Sequence, residues 1–120
     1  MRAVAKESTM TGVGVDIIEL RRFRSVRFPA RIAELVLTPR EYARYESHTD
    51  ALAYLASRFA LKEAVIKAFP KELTYRDIEI TKEGKKPRVK LFGKQTSTDN
   101  ILVSLAHSTD YVAGFAICAK

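Results

Sequence analysis

The stretch ALAYLASRFALKEAVIKAF at residues 51–69 constrains this chain more than any other segment. Thr49 or Asp50 can cap its start and Pro70 stops it, so the spacing predicts one long helix reaching Phe69. At 100° per residue with Leu52 at zero, Leu55, Ala56, Phe59 and Ile66 fall within about 60° of one direction. Glu63 falls about 20° from that direction, which predicts an inward carboxylate. The rest of the chain has to cover this helix.

The cover is legible on both sides of it. Val13, Val15 and Ile17 alternate with Gly12, Gly14 and Asp16, the period-2 pattern of a strand. The two glycines leave room for close approach of backbone or ligand on the face that Asp16 shares. Thr38-Pro39-Arg40-Glu41 is a capping box with proline at the first helical position, predicting a short helix to about Glu46 and a turn over residues 47–50. After the long helix, residues 76–81 and 88–92 flank a turn at 82–86, and residues 101–106 and 111–119 flank a turn at 107–110. The two hairpins are expected to join the first strand in one antiparallel sheet over the long helix. That arrangement is an α+β domain spanning residues 10–120, preceded by a disordered leader at 1–9, with Met10 a candidate natural start. A short polar loop is read at residues 95–100.

Composition narrows the class of partner. A chain of 120 residues, 47% hydrophobic and 29% charged, fits one domain with a modest core. No apolar run approaches the roughly 18 residues needed to span a bilayer, and residues 1–9 lack a signal-peptide apolar region. A lone cysteine, Cys118, excludes an internal disulfide, and no Cys/His spacing suits zinc, so the cytoplasm is the expected compartment. The formal charge of +7 and pI near 9.7 point to acidic partners: nucleic acid, phosphorylated small molecules or an acidic protein. Arg21, Arg22, Arg24, Arg27 and Arg31 crowd one stretch, and Lys82, Lys85 and Lys86 crowd a turn. Solvated surface is the plain alternative for both groups.

Asp16 and Glu63 both sit in apolar company, where an ionised carboxylate is costly without a compensating cation or dense hydrogen bonding. A buried Glu63–Lys67 salt bridge is one reading. The other is a shared hard cation, because two carboxylates without His or Cys suit Mg²⁺, which keeps waters and takes phosphate oxygens. Arg58 and Lys62 on one side of Glu63 and Lys67 on the other supply charge for phosphate, unless Arg58 and Lys62 merely solubilise the helix. His107 reads as a turn residue or a phosphate contact, and Ser104 as a small packing residue. No nucleophile elbow, Walker loop or G-x-G-x-x-G occurs.

GVGVDIIELRRF at 12–23, RFALKEAVIKAF at 58–69, TYRDIEITKEGKKP at 74–87 and VSLAHSTDY at 103–111 resemble, in order and spacing, the holo-acyl carrier protein synthases. These are the small class of 4′-phosphopantetheinyl transferases. The resemblance implies their fold, with one long helix packed on an antiparallel sheet and additional short helices. It also implies Mg²⁺-dependent transfer of 4′-phosphopantetheine from coenzyme A to a serine of an apo acyl carrier protein, releasing adenosine 3′,5′-bisphosphate. Asp16 and Glu63 would be metal ligands, and Glu63 also a base for the serine hydroxyl. Arg58, Lys67 and His107 would hold coenzyme A phosphates, Lys62 would lie beside the pyrophosphate, and Ser104 would line the same cleft. Arg22, Arg27, Phe28 and Arg31 would dock the acidic carrier. A homotrimer with the cleft between subunits is implied as well, with neither nucleic acid nor membrane as partner.

The chain departs from many relatives in three places. Pro70-Lys71-Glu72-Leu73 stands where they carry a glycine-rich loop, and Ser47, His48, Thr49 and Asp50 stand where basic residues often precede the long helix, leaving His48 as a partial substitute. The segment between Arg22 and Phe28 is shorter than in some of them. Two other classes compete with the transferase reading. A small basic nucleic-acid-binding module would use Phe23 and Phe28 but leave Asp16 and Glu63 unexplained. A Mg²⁺-dependent phosphohydrolase would use the same acids with water as nucleophile.

Overall fold

The structure, a computed structural model, describes residues 9–93 and 100–120. Residues 1–8 of the expected leader and most of the polar loop lie outside the described residues. Thr9 is described, and its carbonyl accepts from the Lys120 amide at 2.9 Å.

Two of the helices begin on side-chain caps, those after Thr38 and Asp50, while those after Glu19 and Phe28 do not. Strand β1 (Met10–Glu19) runs directly into α1 (Leu20–Arg24), followed by α2 (Pro29–Val36), α3 (Pro39–Ser47) and α4 (Ala51–Ala68). The α3 box is complete: the Glu41 amide donates to Thr38 Oγ1 at 3.3 Å and the Thr38 amide donates to Glu41 Oε1 at 2.9 Å. Asp50, not Thr49, caps α4, its Oδ1 accepting from the Ala53 amide at 3.1 Å. Asp50 also takes a two-pronged contact from Arg24, at 2.8 and 3.3 Å, which ties α1 to the start of α4. The Arg24 bond, and then the Ala53 amide, hold the Asp50 carboxyl below the usual range.

A 3-10 turn at Tyr75–Asp77 leads into β2 (Ile78–Glu83) and β3 (Lys86–Leu91), and β4 (Asn100–His107) and β5 (Tyr111–Ala119) follow. The β2–β3 connection is tighter than expected, because Glu83 pairs with Lys86 and Gly84 alone has positive φ, 63°, the pattern of a type II′ turn.

One expectation about the sheet fails. The described strands form two antiparallel sheets, β1-β5-β4 and β2-β3, rather than one. The larger sheet places β5 in the middle, so its two neighbours satisfy both of that strand's edges. The hairpin β2–β3 instead packs Ile78 and Ile80 into the core beside Leu61, Val65, Ala116 and buried Cys118.

The glycines of β1 settle how closely α4 lies on the larger sheet. A Cβ built on Gly12 would stand 1.8 Å from the Ala68 carbonyl oxygen, one on Gly14 2.0 Å from that of Ala64, and one on Gly114 2.7 Å from that of Ala60. Ala60, Ala64 and Ala68 follow at four-residue spacing, so a stripe of small side chains meets bare backbone along the helix. On its other flanks α4 meets the core with Leu61 and Val65, and the cluster of Ala33, Val36 and Leu37 with Tyr54 and Leu55.

This enclosure corrects the helical-wheel reading. Leu55 and Ala56 of the computed stripe are buried, but Leu52, Phe59, Glu63 and Ile66 are half-buried, and Lys67 beside them is exposed. Glu63 therefore lies on the most open side of α4. A single apolar stripe is not what a helix shows when sheet and helices cover most of its circumference.

Candidate active site

The open side of α4 faces the end of β1, and two acids meet the same neighbourhood there. Asp16 pairs in register with Gly114, the glycine that lets the helix approach. Lys67 Nζ donates to Asp16 Oδ1 at 3.3 Å and to the Val15 carbonyl at 3.0 Å. Glu63 is held from another direction, by the Tyr75 hydroxyl donating to its Oε1. The Tyr75 hydroxyl is pushed up to about 12, first by that bond, then by burial, then by the charges of Glu63 and Asp16. A single hydroxyl thus feels both carboxylates. Lys67 bonds Asp16 and not Glu63, so the Glu63–Lys67 salt bridge does not form.

Lys62 lies elsewhere, fully buried. Its ammonium donates to Glu41 Oε1 at 2.6 Å, to the Val36 carbonyl at 2.6 Å and to the Tyr75 carbonyl at 3.1 Å. Glu41 completes the hub by accepting from the Ile80 amide at 2.8 Å, and Thr38 Oγ1 donates to buried Glu79 at 2.7 Å. Burial pushes the Lys62 ammonium down, against the upward pull of Glu41. The expectation that Lys62 flanks the acids as a phosphate-facing cation is therefore corrected: it points away from Glu63 and joins α2, α3, α4 and the 3-10 turn. Replacing it with methionine should lower stability by about 3–5 kcal/mol, since it leaves a buried carboxylate without its cation. Urea melts of the purified variant check this; an unchanged midpoint would return Lys62 to the surface role.

Arg58 is buried over the Tyr54 ring, its guanidinium carbon 4.5 Å from the centroid, and among the described residues Nε has no hydrogen-bond partner. It lines a cavity of about 850 Å³ whose wall also carries Arg24, Arg44, His48, Lys82 and His107. Arg58 and His107 are thus brought together, in strongly cationic company, while Asp16, Glu63 and Lys67 do not line that cavity. Ser104 lies apart on the outer face of β4, in a hollow with Lys86 and Arg88. Among the docking residues, Arg27 and Arg31 stack their guanidinia on the exposed Phe28 ring, at 5.3 and 5.0 Å, and Arg22 is exposed on α1.

Sequence reasoning missed the roles of Tyr75, Glu41, Arg44 and Lys82, the last of which lies in β2 rather than in the expected turn. The Glu41 capping box was visible, but nothing local signals that a capping carboxylate also receives a buried lysine 21 residues on. Tyr75 carried no signal for its bond to a carboxylate 12 residues earlier.

The model of the 4′-phosphopantetheinyl transferase superfamily matches residues 12–116. The chain is 40% identical to the holo-[acyl-carrier-protein] synthase of Moorella thermoacetica, over 90% of this chain and 93% of that protein. The crystal structure of the Neisseria meningitidis holo-[acyl-carrier-protein] synthase superposes with a TM-score of 0.82 at 27% identity, covering 93% of this chain and 100% of that one. That of Helicobacter pylori, in complex with coenzyme A, gives 0.74 at 27% identity over 88% and 98% of the two chains. The chain belongs to the 4′-phosphopantetheinyl transferase superfamily and, within it, to the holo-[acyl-carrier-protein] synthases. The α+β fold expected from the sequence, a long helix on antiparallel sheet with short helices, is the fold of those neighbours.

Proposed function

We propose that this chain transfers the 4′-phosphopantetheine group of coenzyme A to a serine hydroxyl of an apo acyl carrier protein, with Mg²⁺ as cofactor and adenosine 3′,5′-bisphosphate as leaving product. The observation that carries this reading is the β1–α4 seam, where Asp16 and Glu63 each have one oxygen anchored by a neighbour, in a chain of this family. The donor set fits Mg²⁺: two hard carboxylates, and among the described residues no cluster of three or more His, Cys, Asp or Glu that would enclose a metal by itself. Asp16 and Glu63 would hold the Mg²⁺, which would supply charge neutralisation to the pyrophosphate.

The protein's own groups do the rest. Glu63, half-buried and with Oε2 unbonded among the described residues, would take the proton of the attacking serine, directly or through a water. The Lys67 ammonium, exposed beside Asp16, offers charge to the phosphoryl oxygens as the bond to the leaving group breaks. Arg58 and His107, with Arg44, His48 and Lys82 around them, form a cationic cavity of a size for the nucleotide end of coenzyme A. His48 lines that cavity at the position where the chain departs from its relatives, its Nδ1 accepting from the Asp50 amide at 3.1 Å. The complex of the Helicobacter pylori protein with coenzyme A supports that ligand.

Arg22, Arg27 and Arg31, around the exposed Phe28, give an acidic carrier a charged surface with an apolar centre. Among the described residues no helix is long and apolar enough to cross a membrane, and the cytoplasm is the compartment proposed.

The larger sheet also presents a bare apolar face. Val13, Val15 and Ile17 of β1, Leu102 of β4 and Phe115 of β5 are all exposed there, Ile17 at 65%. A homotrimer built on this face would bury it and bring the cationic cavity of one copy toward the acids of the next, which fits their separation within a single chain. Phe115→Lys, at the centre of that face, should shift the sedimenting species from trimer to monomer and reduce transfer with it. A trimer unaffected by the lysine would place the interface elsewhere.

The decisive experiment is incubation with coenzyme A, Mg²⁺ and apo acyl carrier protein, followed by mass measurement of the carrier. A phosphopantetheine adduct is expected. Release of inorganic phosphate with no adduct on several carriers would favour the phosphohydrolase instead.

A further inference from the structure

Tyr75 is anchored at three points, once by its own turn and twice by α4. The capped 3-10 turn sets its backbone, with Thr74 and Asp77 bonding reciprocally. Its carbonyl accepts from the buried Lys62 ammonium at 3.1 Å, so the Glu41–Lys62 hub sets the height of the turn over α4. Its ring packs on Phe59, with centroids 5.5 Å apart, one helical turn before Glu63. The hydroxyl is then delivered to Glu63 Oε1 by contacts that do not involve Glu63 at all.

Glu63 needs that help. On the open side of α4, a glutamate with three side-chain torsions has little packing to choose a rotamer. A ligand or base must instead be held within a fraction of an ångström of its working position. We propose that Tyr75 is a positioning residue, whose hydroxyl holds Oε1 of Glu63 and so presents Oε2 to the cation and to the serine hydroxyl. Lys67 does the equivalent for Asp16, leaving Oδ2 to face the cation. Lys62 then acts on the site from behind, through the Tyr75 carbonyl. This inference rests on the metal-binding reading given above.

The test uses Tyr75→Phe, which keeps the ring, its stacking on Phe59 and the carbonyl held by Lys62. Binding of Mn²⁺ alone is read from the paramagnetic resonance of the free ion, alongside thermal melts and steady-state kinetics. The variant should bind Mn²⁺ about tenfold more weakly, the lower end of what loss of an outer-shell partner does to metal affinity. Its melting temperature should stay within a few degrees, and kcat should fall while KM for coenzyme A holds. In a Glu63→Gln background the same change should add no further loss of kcat. Mn²⁺ binding as tight as or tighter than in the unaltered protein overturns the inference, as do independent losses in the double variant. If the unaltered protein binds no Mn²⁺, the metal reading itself falls and the inference with it, so the two failures are told apart by that arm.

Discussion

Gly14→Ala should melt at least about 10 °C below the unaltered protein, and Gly14→Val lower still. The added Cβ stands 2.0 Å from the Ala64 carbonyl oxygen and 2.9 Å from its carbon, both main-chain atoms of α4. No rotamer change relieves a clash between two backbones, so the helix has to lift off β1 by more than an ångström. Lifting it opens Gly12 against Ala68 and Gly114 against Ala60 together, and strips contacts from the core around Leu61 and Val65. Overpacking usually costs about 1–3 kcal/mol, and here the rigid neighbours push the alanine variant to or beyond the upper end. Against a total stability of about 5–15 kcal/mol, that corresponds to a fall in melting temperature of at least about 10 °C. Gly84→Ala is the control, since its Cβ meets nothing within 4 Å and only the positive φ of 63° is strained, a cost of about 1–2 kcal/mol. Calorimetry of both variants decides whether close approach or turn geometry governs. Equal losses at Gly14 and Gly84 would contradict the packing argument.

Glu63→Gln should lower carrier modification by about 10²- to 10⁴-fold, the usual range for removing a general base, while the protein stays folded. The amide oxygen still accepts from Tyr75, so the side chain keeps its place. What goes, on the proposed mechanism, is the charge that would hold the cation and the basicity that would take the serine proton. Asp16→Ala should be as severe by a different route, leaving Lys67 without its carboxylate partner and removing one of the two ligands proposed for the cation. Rates come from the mass of the carrier over time, with circular dichroism and sedimentation confirming the fold and assembly of each variant. Near-full activity in both would remove these acids from the mechanism.

How much of this was legible beforehand can be judged element by element. The α4 helix, the Thr38–Glu41 box and both hairpins follow from caps, proline and alternation, which act within a few residues of one another. The division into two sheets was not legible, because strand pairing between hairpins depends on which edges remain free once α4 is covered. The direction of Glu63 was misjudged for a related reason: a wheel finds the core face of a helix only when one face is buried. Asp16, Glu63 and Lys67 were picked out by residue type; Lys67 bonds the strand's acid, Asp16, rather than its helical neighbour, and Glu63 is held by Tyr75 instead. Lys62 was grouped with them by spacing, yet its long stem reaches across to Glu41 and two carbonyls.

Sequence by itself determined the family, the long helix, the capped short helix, the strands and the chemical types present at the site, since each is written in local periodicity, capping and motif order. Only the tertiary structure decided which cation serves which carboxylate, which side of α4 stays open, and that Tyr75 stands over Glu63. Those outcomes depend on distances between side chains far apart in the chain, and packing alone sets such distances.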